Sequence, residues 1–409
     1  MTLLSGLRVV EGSAFVAAPL GGLTLAQLGA DVIRFDRIGG GLDYKRWPVV
    51  ENGVSLYWAG LNKGKRSIAL DLSQREGREL ATALITAPGE NAGLFLSNFP
   101  ESGWLADAAL RKHRPDLVYV NIVGNPDETT AVDYTVNASS GIALATGTVG
   151  SSLPLNNALP AWDIATGLNA VIAMLAAERK RRETGAGEVV KISLADVAFT
   201  MVANLGFLGQ AQVMHENRPP LGNDMYGAFG RDFATSDGGR VMVVAISLNQ
   251  WQALVAATSV EEHLSAIERA FDADLSLEAE RYRCRDAIAA LLAPWFAART
   301  LDEVRTELDE HGVCWGPYQT FTQLLEEDWR ASTKNPVFGT VDHPGIGEVL
   351  TPASPMRLPD APPVPPACAP LLGTHTDEVL EDVLGLSPTE VGRLHDQGVV
   401  SGPEPIAES

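Results

Sequence analysis

The stretch GLRVVEGSAFVAAPLGGLTLAQLGADVIRF, residues 6–35, decides the fold of this chain. Its apolar runs at 7–11 and 30–35 predict two short buried strands, and residues 19–28 between them predict a helix. A strand, a glycine-rich turn, a helix and a second strand form the unit that starts a parallel sheet. The helix returns the chain to the end of the sheet where the first strand began, so the second strand runs in the same direction. The stretch therefore predicts an α/β fold.

The same alternation continues through the first third of the chain. Further strands are predicted at 67–72, 93–96 and 117–122, with helices at 77–86 and 105–112. The turn at residues 12–22 lacks the pattern G-x-G-x-x-G, and the chain contains no G-x-x-x-x-G-K-[ST]. We therefore expect a Rossmann-like sheet without a dinucleotide cofactor, which disfavours a dehydrogenase.

The pattern changes in the middle of the chain. A polar loop rich in glycine and proline, residues 215–231, leads to a hairpin turn at 237–239, and a smaller domain is expected over 211–325. Its elements are predicted as strands at 229–235 and 240–245 and helices at 248–257 and 282–298. Beyond this domain, the sequence predicts an extended proline-rich connection at 352–370 and short helices at 376–386 and 388–397.

Composition limits the class of protein. The chain has 409 residues, 45% of them apolar and 20% charged, and a formal net charge of −20, which disfavours nucleic acid or an anionic membrane as a partner. No apolar run approaches the roughly 20 residues of a membrane span, and the N-terminus does not read as a signal peptide. Three widely spaced cysteines argue against a disulfide framework and against a metal site. A cytoplasmic protein is expected.

One segment departs from the acidic average. Between residues 34 and 66 basic side chains outnumber acidic ones, namely Arg34, Arg37, Lys45, Arg46, Lys63, Lys65 and Arg66 against Asp36, Asp43 and Glu51. This local excess predicts a small anionic ligand, with a solvated surface face as the alternative. The turn at residues 62–67 carries basic residues on both sides of Gly64 and is suited to bring N–H groups and cationic heads to a phosphate.

A single carboxylate stands where a loop turns into a long helix. Helical spacing begins at Ile164 and runs to Arg182, and Gly185 and Gly187 then end it. Asp163 is therefore predicted at the N-cap, where free N–H groups and the helix dipole keep a carboxylate ionised. A purely capping role is the alternative on local sequence alone.

Taken together, these segments resemble the family III CoA-transferases of the CaiB/BaiF type. The supporting segments appear in the family's order at 6–10, 28–33, 62–72, 97–99, 163, 184–190 and 373–380. The resemblance implies an α/β fold with a Rossmann-like large domain formed by both chain ends, residues 1–210 and 326–409. It also implies a smaller α+β middle domain over 211–325 and an interlocked homodimer.

The resemblance also assigns candidate site residues. Asp163 falls on the family's active-site aspartate, and the positions that contact CoA fall on Arg37, Lys63, Gly64, Lys65, Arg66, Asn98 and Phe99. Coenzyme A would enter as part of the substrate, with no permanently bound cofactor and no metal. For Phe99 a core aromatic is the alternative, and Lys45 and Arg46 remain open between CoA phosphate and solvent.

The chain also departs from the family's pattern. Trp104–Ala106 and Val123–Asn125 replace an arginine and a lysine that members often carry. Val132 stands where related α-methylacyl-CoA racemases have a histidine, which disfavours two-base racemisation. His375 is interpreted as structural, because the chemistry needs no general base.

Finer segments resemble one subgroup, which moves CoA between the two carboxyl groups of a C5 dicarboxylate. These segments are residues 11–22, 39–48, 132–137, 159–163 and 226–233. The resemblance implies mesaconyl-CoA as the acyl-CoA substrate, in carbon assimilation through the 3-hydroxypropionate route. Tyr226, Gly227 and Arg231 are candidates to hold the non-reacting carboxylate, and a surface ion pair of Arg231 with Asp232 or Asp237 is the alternative.

Other functions remain open from the sequence. An intermolecular CoA-transferase would use a separate acid as acceptor, and an α-methylacyl-CoA racemase would exchange the α-proton. A non-catalytic acyl-CoA-binding protein would not depend on Asp163 as a nucleophile.

Overall fold

The computed structural model describes residues 2–357, 359–360 and 362–406, which form two compact units. The first unit comprises the chain up to Ser140, Asn157–Leu208, and the chain from Trp329 onward. The second comprises Gly141–Asn156 and Gly209–Asp328. The segment Gly141–Asn156 thus joins the second unit, whereas the sequence analysis assigned it to the large domain.

A seven-stranded sheet forms the centre of the first unit, in the order β12-β3-β2-β1-β4-β5-β6. Its strands are β1 (Arg8–Gly12), β2 (Asp31–Arg37), β3 (Arg66–Leu70), β4 (Leu94–Ser97), β5 (Val118–Val123), β6 (Glu188–Ser193) and β12 (Val400–Ser401). Strands β1 to β6 pair in parallel and β12 is antiparallel to β3. The predicted α/β fold with a large parallel sheet is confirmed.

Both faces of this sheet are buried, which explains the nearly continuous apolar runs of its strands. Val10, Ile33 and Phe95 point into one core, and their neighbours Val9 and Leu94 point into the other. The helices of this unit are α1 (Ala17–Gln27), α2 (Leu56–Leu61), α3 (Arg75–Ile85), α4 (Asp107–Leu110), α5 (Asp133–Ser139), α7 (Ala161–Thr184), α8 (Leu194–Asn204), α16 (Thr376–Asp382) and α17 (Pro388–Asp396).

Two glycines allow α1 and α7 to pack closely. A Cβ atom at Gly167 would lie 2.5 Å from the carbonyl oxygen of Ala17, and one at Gly21 would lie 3.2 Å from that of Gly167. These approaches fix the start of α7 against the start of α1. Asp163 lies one turn before Gly167, so its position follows from this contact.

The second unit has its own core around a three-stranded antiparallel sheet, β7-β8-β9. The predicted hairpin is confirmed by β7 (Phe229–Ala234) and β8 (Arg240–Ala245), and β9 is Cys314–Pro317. Its helices are α6 (Ile142–Ala145), α10 (Leu248–Thr258), α11 (Glu261–Phe271), α12 (Glu278–Arg283), α13 (Arg285–Ala297), α14 (Leu301–Glu310) and α15 (Phe321–Glu327). Helix α9 (Phe207–Gly209, extended by a π-helical turn Gln210–Met214) lies where the chain passes from the first unit into the second. The single helix predicted at 282–298 is therefore two helices divided at Cys284.

The chain beyond the second unit contains two strands that the sequence did not predict. Strands β10 (Phe338–His343) and β11 (Gly347–Pro352) form a separate hairpin before the proline-rich connection. No single helix in the described residues is long and apolar enough to cross a membrane; α8 together with Phe207–Met214 passes such a test only as a pair bent by 66°.

Candidate active site

Asp163 lies in the first turn of α7, but it is not the N-cap residue. The helix begins at Ala161, and Pro160 is its N-cap, so Asp163 is the third helical residue. The predicted boundary lies three residues too late, because Pro160 has no side-chain oxygen and does not resemble a cap. Helix α7 ends with Gly185 at φ 72°, as predicted.

Asp133, the first residue of α5, caps α7 instead. Its side chain is buried, and its Oδ2 accepts hydrogen bonds from the backbone N–H groups of Trp162 at 2.7 Å and Asp163 at 3.1 Å. One turn further along α5, Asn137 accepts a hydrogen bond from Nε1 of Trp162 at 3.0 Å. The sequence of residues 132–137 shows the resemblance to the subgroup, but no local signal indicates that Asp133 caps another helix.

The carboxylate of Asp163 has no partner among the described residues. It accepts no hydrogen bond and forms no ion pair there, although the side chain is half-buried. Burial, together with the negative charge of Asp133, raises the pKa of Asp163 to about 6. The expectation of a strongly ionised capping carboxylate is therefore wrong, yet at neutral pH most of this group is a free carboxylate.

Tyr57 and Arg46 lie in the electrostatic surroundings of Asp163. Burial raises the pKa of Tyr57 to about 12, with Arg46 opposing the rise and Asp163 adding to it. The guanidinium of Arg46 lies 5.3 Å from the ring centre of Tyr57 and 5.7 Å from that of Phe15. A protonated phenol and a cation thus belong to the environment of the unpaired carboxylate.

The loop after β1 is fixed at the point where the strand order reverses. Helical crossovers run in opposite directions from β1 and β4, and ligands of open α/β sheets bind at such a point. Asn98, directly after β4, accepts a hydrogen bond from the N–H of Ala14 at 2.9 Å and donates one to its carbonyl oxygen at 2.8 Å. Phe15 follows at φ 65°, a conformation that non-glycine residues rarely adopt.

This arrangement corrects the role expected for the Asn98–Phe99 pair. Both ends of the Asn98 amide are occupied by the loop, so this side chain fixes backbone rather than a ligand base. Phe99 packs against the core, with its ring 6.3 Å from that of Phe35. The core alternative therefore describes Phe99.

A buried ionic network lies beneath the same loop. It consists of Glu11, Arg34, Asp36, Asp43 and Lys65, all of them buried. Nζ of Lys65 lies 2.8 Å from Oε2 of Glu11 and also donates to the carbonyl oxygen of Pro19 and to Oδ1 of Asn62. Burial lowers the pKa of Lys65 to about 8. With all three donor directions used, the structure does not support Lys65 as a phosphate contact.

The other basic candidates differ in whether carboxylates already bind their side chains. Arg66 forms ion pairs with Asp31, Glu378 and Asp382, so the structure does not support it as a phosphate contact either. Arg37 is exposed at the end of β2, and among the described residues its side chain donates only to the carbonyl oxygen of Gly40.

The turn around Gly64 contains the remaining basic candidate. Lys63 donates to the carbonyl oxygen of Gly60, and burial lowers its pKa to about 8. Gly64 has φ 69°, which the turn requires. Arg37 and Lys63 thus have no carboxylate partner in the described residues, and neither has Arg46, which lies over the rings of Phe15 and Tyr57.

The predicted dicarboxylate residues lie in the second unit. Arg231 forms a bidentate ion pair with Asp224 and a further pair with Asp286, so it is not free to bind substrate; the predicted partners Asp232 and Asp237 are wrong. Tyr226 accepts a hydrogen bond from Gln210, lies beneath the guanidinium of Arg218 and contacts Tyr282 with its ring tilted by 57°. Gly227 has φ 82° and open space where a Cβ atom would stand.

Three further residues are placed by the structure. His375 accepts the backbone N–H of Ser67 through Nδ1, as expected of a structural histidine. Lys45 pairs with Glu404, and Val132 is 51% exposed directly before Asp133. Within the described residues, no group of three or more His, Cys, Asp and Glu side chains is suited to hold a metal ion.

The first unit thus combines a parallel sheet in this strand order with an aspartate at the start of α7 whose carboxylate has no partner in the described residues, an arrangement suited to acyl transfer through a carboxylate. The chain belongs to the CoA-transferase family III, whose model matches residues 4–376. This result agrees with the resemblance of the sequence segments.

Three proteins of known name or structure are similar to this chain over nearly its whole length. The chain is 55% identical over 406 residues to 2-methylfumaryl-CoA isomerase of Chloroflexus aurantiacus, covering 99% of both chains. It is 28% identical to formyl-CoA:oxalate CoA-transferase of Rhodopseudomonas palustris, covering 99% of this chain and 98% of that one. A solved CaiB/BaiF family protein from Brucella suis is 27% identical and covers 93% of this chain and 99% of that chain, with a TM-score of 0.76.

Proposed function

We propose that this protein transfers CoA within one molecule, between the C1 and C4 carboxyl groups of mesaconate, converting 2-methylfumaryl-CoA into 3-methylfumaryl-CoA. The name of the relative that is 55% identical supports this substrate. The single observation that supports the chemistry is the carboxylate of Asp163, which has no partner in the described residues and a pKa of about 6. Such a group is a nucleophile at neutral pH.

The first half of the reaction uses Asp163 as an acyl carrier. An oxygen of its carboxylate attacks the C1 carbonyl carbon of the thioester, the C–S bond breaks, and CoA leaves as a thiolate. The product is a mixed anhydride, which is at least as reactive as the starting thioester. The thiolate then attacks the aspartyl carbonyl carbon, giving an aspartyl-CoA thioester and mesaconate.

The second half repeats these steps at the other carboxyl group. The C4 carboxylate attacks the aspartyl thioester and releases the thiolate, which then attacks the C4 carbonyl of the new anhydride. The C4 thioester forms and the Asp163 carboxylate is restored, with no net proton or water consumed. Mesaconate must remain bound between the halves, because retention gives its second carboxylate a high effective concentration.

Isotope exchange tests retention. The enzyme is incubated with unlabelled mesaconyl-CoA and labelled free mesaconate, and the CoA ester pool is analysed. We expect no label in the esters while isomerisation proceeds. Label entering the esters at the rate of turnover would support the second candidate, an intermolecular CoA-transferase, which the likeness to formyl-CoA:oxalate CoA-transferase favours.

Two remaining alternatives make different predictions. A racemase would exchange the α-proton for solvent deuterium, and Val132 offers no imidazole for such a transfer. A non-catalytic acyl-CoA-binding protein would be unaffected in function by Asp163→Ala. We expect no deuterium incorporation and near-complete loss of turnover in the folded variant.

We also propose that the protein is a homodimer. Large apolar side chains are exposed in the segment that follows α8, namely Leu205, Leu208, Val213 and Met214. A second copy would remove such side chains from water. Light scattering coupled to size-exclusion chromatography should give twice the mass of the 43.5 kDa chain; a monomeric mass would contradict the proposal.

A further inference from the structure

We propose that Asp133 is a positioning residue for the nucleophile: by accepting the first-turn N–H groups of α7, it keeps the carboxylate of Asp163 from being bound by its own helix. The inference rests on the proposed function of Asp163. It assigns a role to a buried acid that the reaction scheme does not use.

The backbone N–H groups in the first turn of α7, around Asp163, all have acceptors in the described residues. An acidic third residue commonly reaches back to the N–H of the N-cap residue, but here that residue is Pro160, which has none. The N–H of Ala161 binds the carbonyl oxygen of Leu159, and that of Ile164 binds that of Pro160. The two that remain, of Trp162 and Asp163, both bind Oδ2 of Asp133.

Every local donor that would otherwise hold the Asp163 carboxylate is therefore taken or absent. Without Asp133, two unsatisfied N–H groups would face the only nearby carboxylate of the same turn, and an unpaired helix terminus favours such a bond. A carboxylate that accepts hydrogen bonds is a weaker nucleophile, since its lone pairs are engaged. Asp133 thus caps the helix, and the carboxylate of Asp163 in the same turn is left available as the nucleophile.

Asp133 is itself held in place. It begins α5, whose N-cap Val132 is closed by the hydroxyl of Thr135, and it is only 3% exposed. Four residues later Asn137 binds the indole N–H of Trp162. Trp162 in turn packs against an apolar cluster formed by Val136, Leu194, Ala195 and Ala198. The two helices are therefore joined at three hydrogen bonds and one apolar contact.

The charge of Asp133 has a second consequence. It disfavours a second negative charge on Asp163, whereas Tyr57, whose pKa burial raises to about 12, is neutral at pH 7 and its ring faces Arg46. Acylation neutralises Asp163, because its charge leaves with the thiolate. Like-charge repulsion is thereby relieved when the anhydride forms, which favours acylation over the free enzyme.

The test compares Asp133→Asn, which keeps an acceptor but removes the charge, with Asp133→Ala, which removes both. The control is Asp196→Asn, an exposed aspartate in the first turn of α8. The pH dependence of kcat/KM is measured for each enzyme with mesaconyl-CoA. The 3′-phosphate monoester of CoA titrates near pH 6 in every case, and its effect cancels in the comparison.

We expect Asp133→Asn to move the acid limb of kcat/KM to lower pH by about one unit, since the neighbouring charge is gone. Asp133→Ala should lower kcat by ~100-fold, because Asp163 then binds the released N–H groups. Asp196→Asn should leave both quantities unchanged. If Asp133→Asn does not fold, Asp133→Ser removes the same charge with a smaller acceptor and should show the same shift.

A kcat that Asp133→Ala leaves unchanged, or an acid limb that Asp133→Asn leaves unchanged, together with a lowered thermal stability, would overturn the proposal, since Asp133 would then be structural only. Trapping of the acylated enzyme with hydroxylamine separates this failure from failure of the proposed function. If Asp163 is modified in the wild type but the acid limb is unchanged in Asp133→Asn, only the role of Asp133 is rejected, and the proposed function stands. Absence of any modification at Asp163 rejects the nucleophile itself.

Discussion

Replacing the nucleophile should make the protein more stable at neutral pH while removing its activity. The pKa of Asp163 is raised from 3.8 to about 6 in the folded chain by burial and by Asp133. A shift of about two pKa units at about 1.4 kcal/mol each means that the ionised form costs at most about 3 kcal/mol of folding free energy. Asp163→Asn removes this cost.

The direction with pH follows from the two protonation states. Below pH 3.8 the group is protonated in both the folded and the unfolded chain, so it costs nothing. The cost grows as the pH rises from 3.8 to about 6 and is complete above that value. The stabilisation by Asp163→Asn should therefore be about 1.5 kcal/mol at pH 5 and about 3 kcal/mol at pH 8.

Thermal unfolding of the wild type and the variant at both pH values measures this difference. We expect Tm to rise by about 2 °C at pH 5 and by about 3 °C at pH 8 in a chain of this length. Asp196→Asn, the exposed aspartate of α8, should change Tm little at either pH. If the rise in Tm of the variant over the wild type is the same at both pH values, or smaller at pH 8, the reasoning that Asp163 is an unpaired, partly desolvated acid is refuted.

Three further predictions concern the same unit. The kcat/KM of the wild type should fall as the pH drops through about 6, because protonated Asp163 cannot attack; a profile flat between pH 5 and 8 would contradict this. Lys65→Met leaves Glu11 buried with one cation fewer, so urea denaturation should show a loss of ~3–5 kcal/mol; an unchanged midpoint would contradict the network. Asn98→Ala removes both bonds to Ala14 and should lower stability by about 1–2 kcal/mol and kcat/KM by more than tenfold. The half-buried Asn125→Ala, which loses one side-chain bond to Thr129, is its control and should change neither quantity measurably.

Much of the fold is predictable because its signals are local. The alternation in residues 6–35 places β1, α1 and β2 within two residues of their bounds, since buried parallel strands need short apolar runs and crossovers need helices. Gly185 marks the end of α7 because a left-handed residue is needed there. Strands β10, β11 and β12 were missed, since they are short or partly polar and depend on partners distant in sequence.

The site is less predictable, because its chemistry depends on contacts across the fold. Asp163 is found from its place before a long helix, but its cap comes from Asp133, 30 residues earlier, on another helix. Lys65 and Arg231 look like ligand cations in the sequence, since nothing local shows that Glu11 and Asp224 neutralise them. Basic residues in a turn predict a positive surface only when no buried acid faces them.

The most direct test of the account is chemical trapping of the acylated carboxylate. The enzyme is treated with hydroxylamine or borohydride during turnover of mesaconyl-CoA, and the modified peptide is mapped by mass spectrometry. We predict modification at Asp163 alone, and none in the Asp163→Asn variant. Modification at any other residue, or turnover with no modification at all, would contradict the central claim.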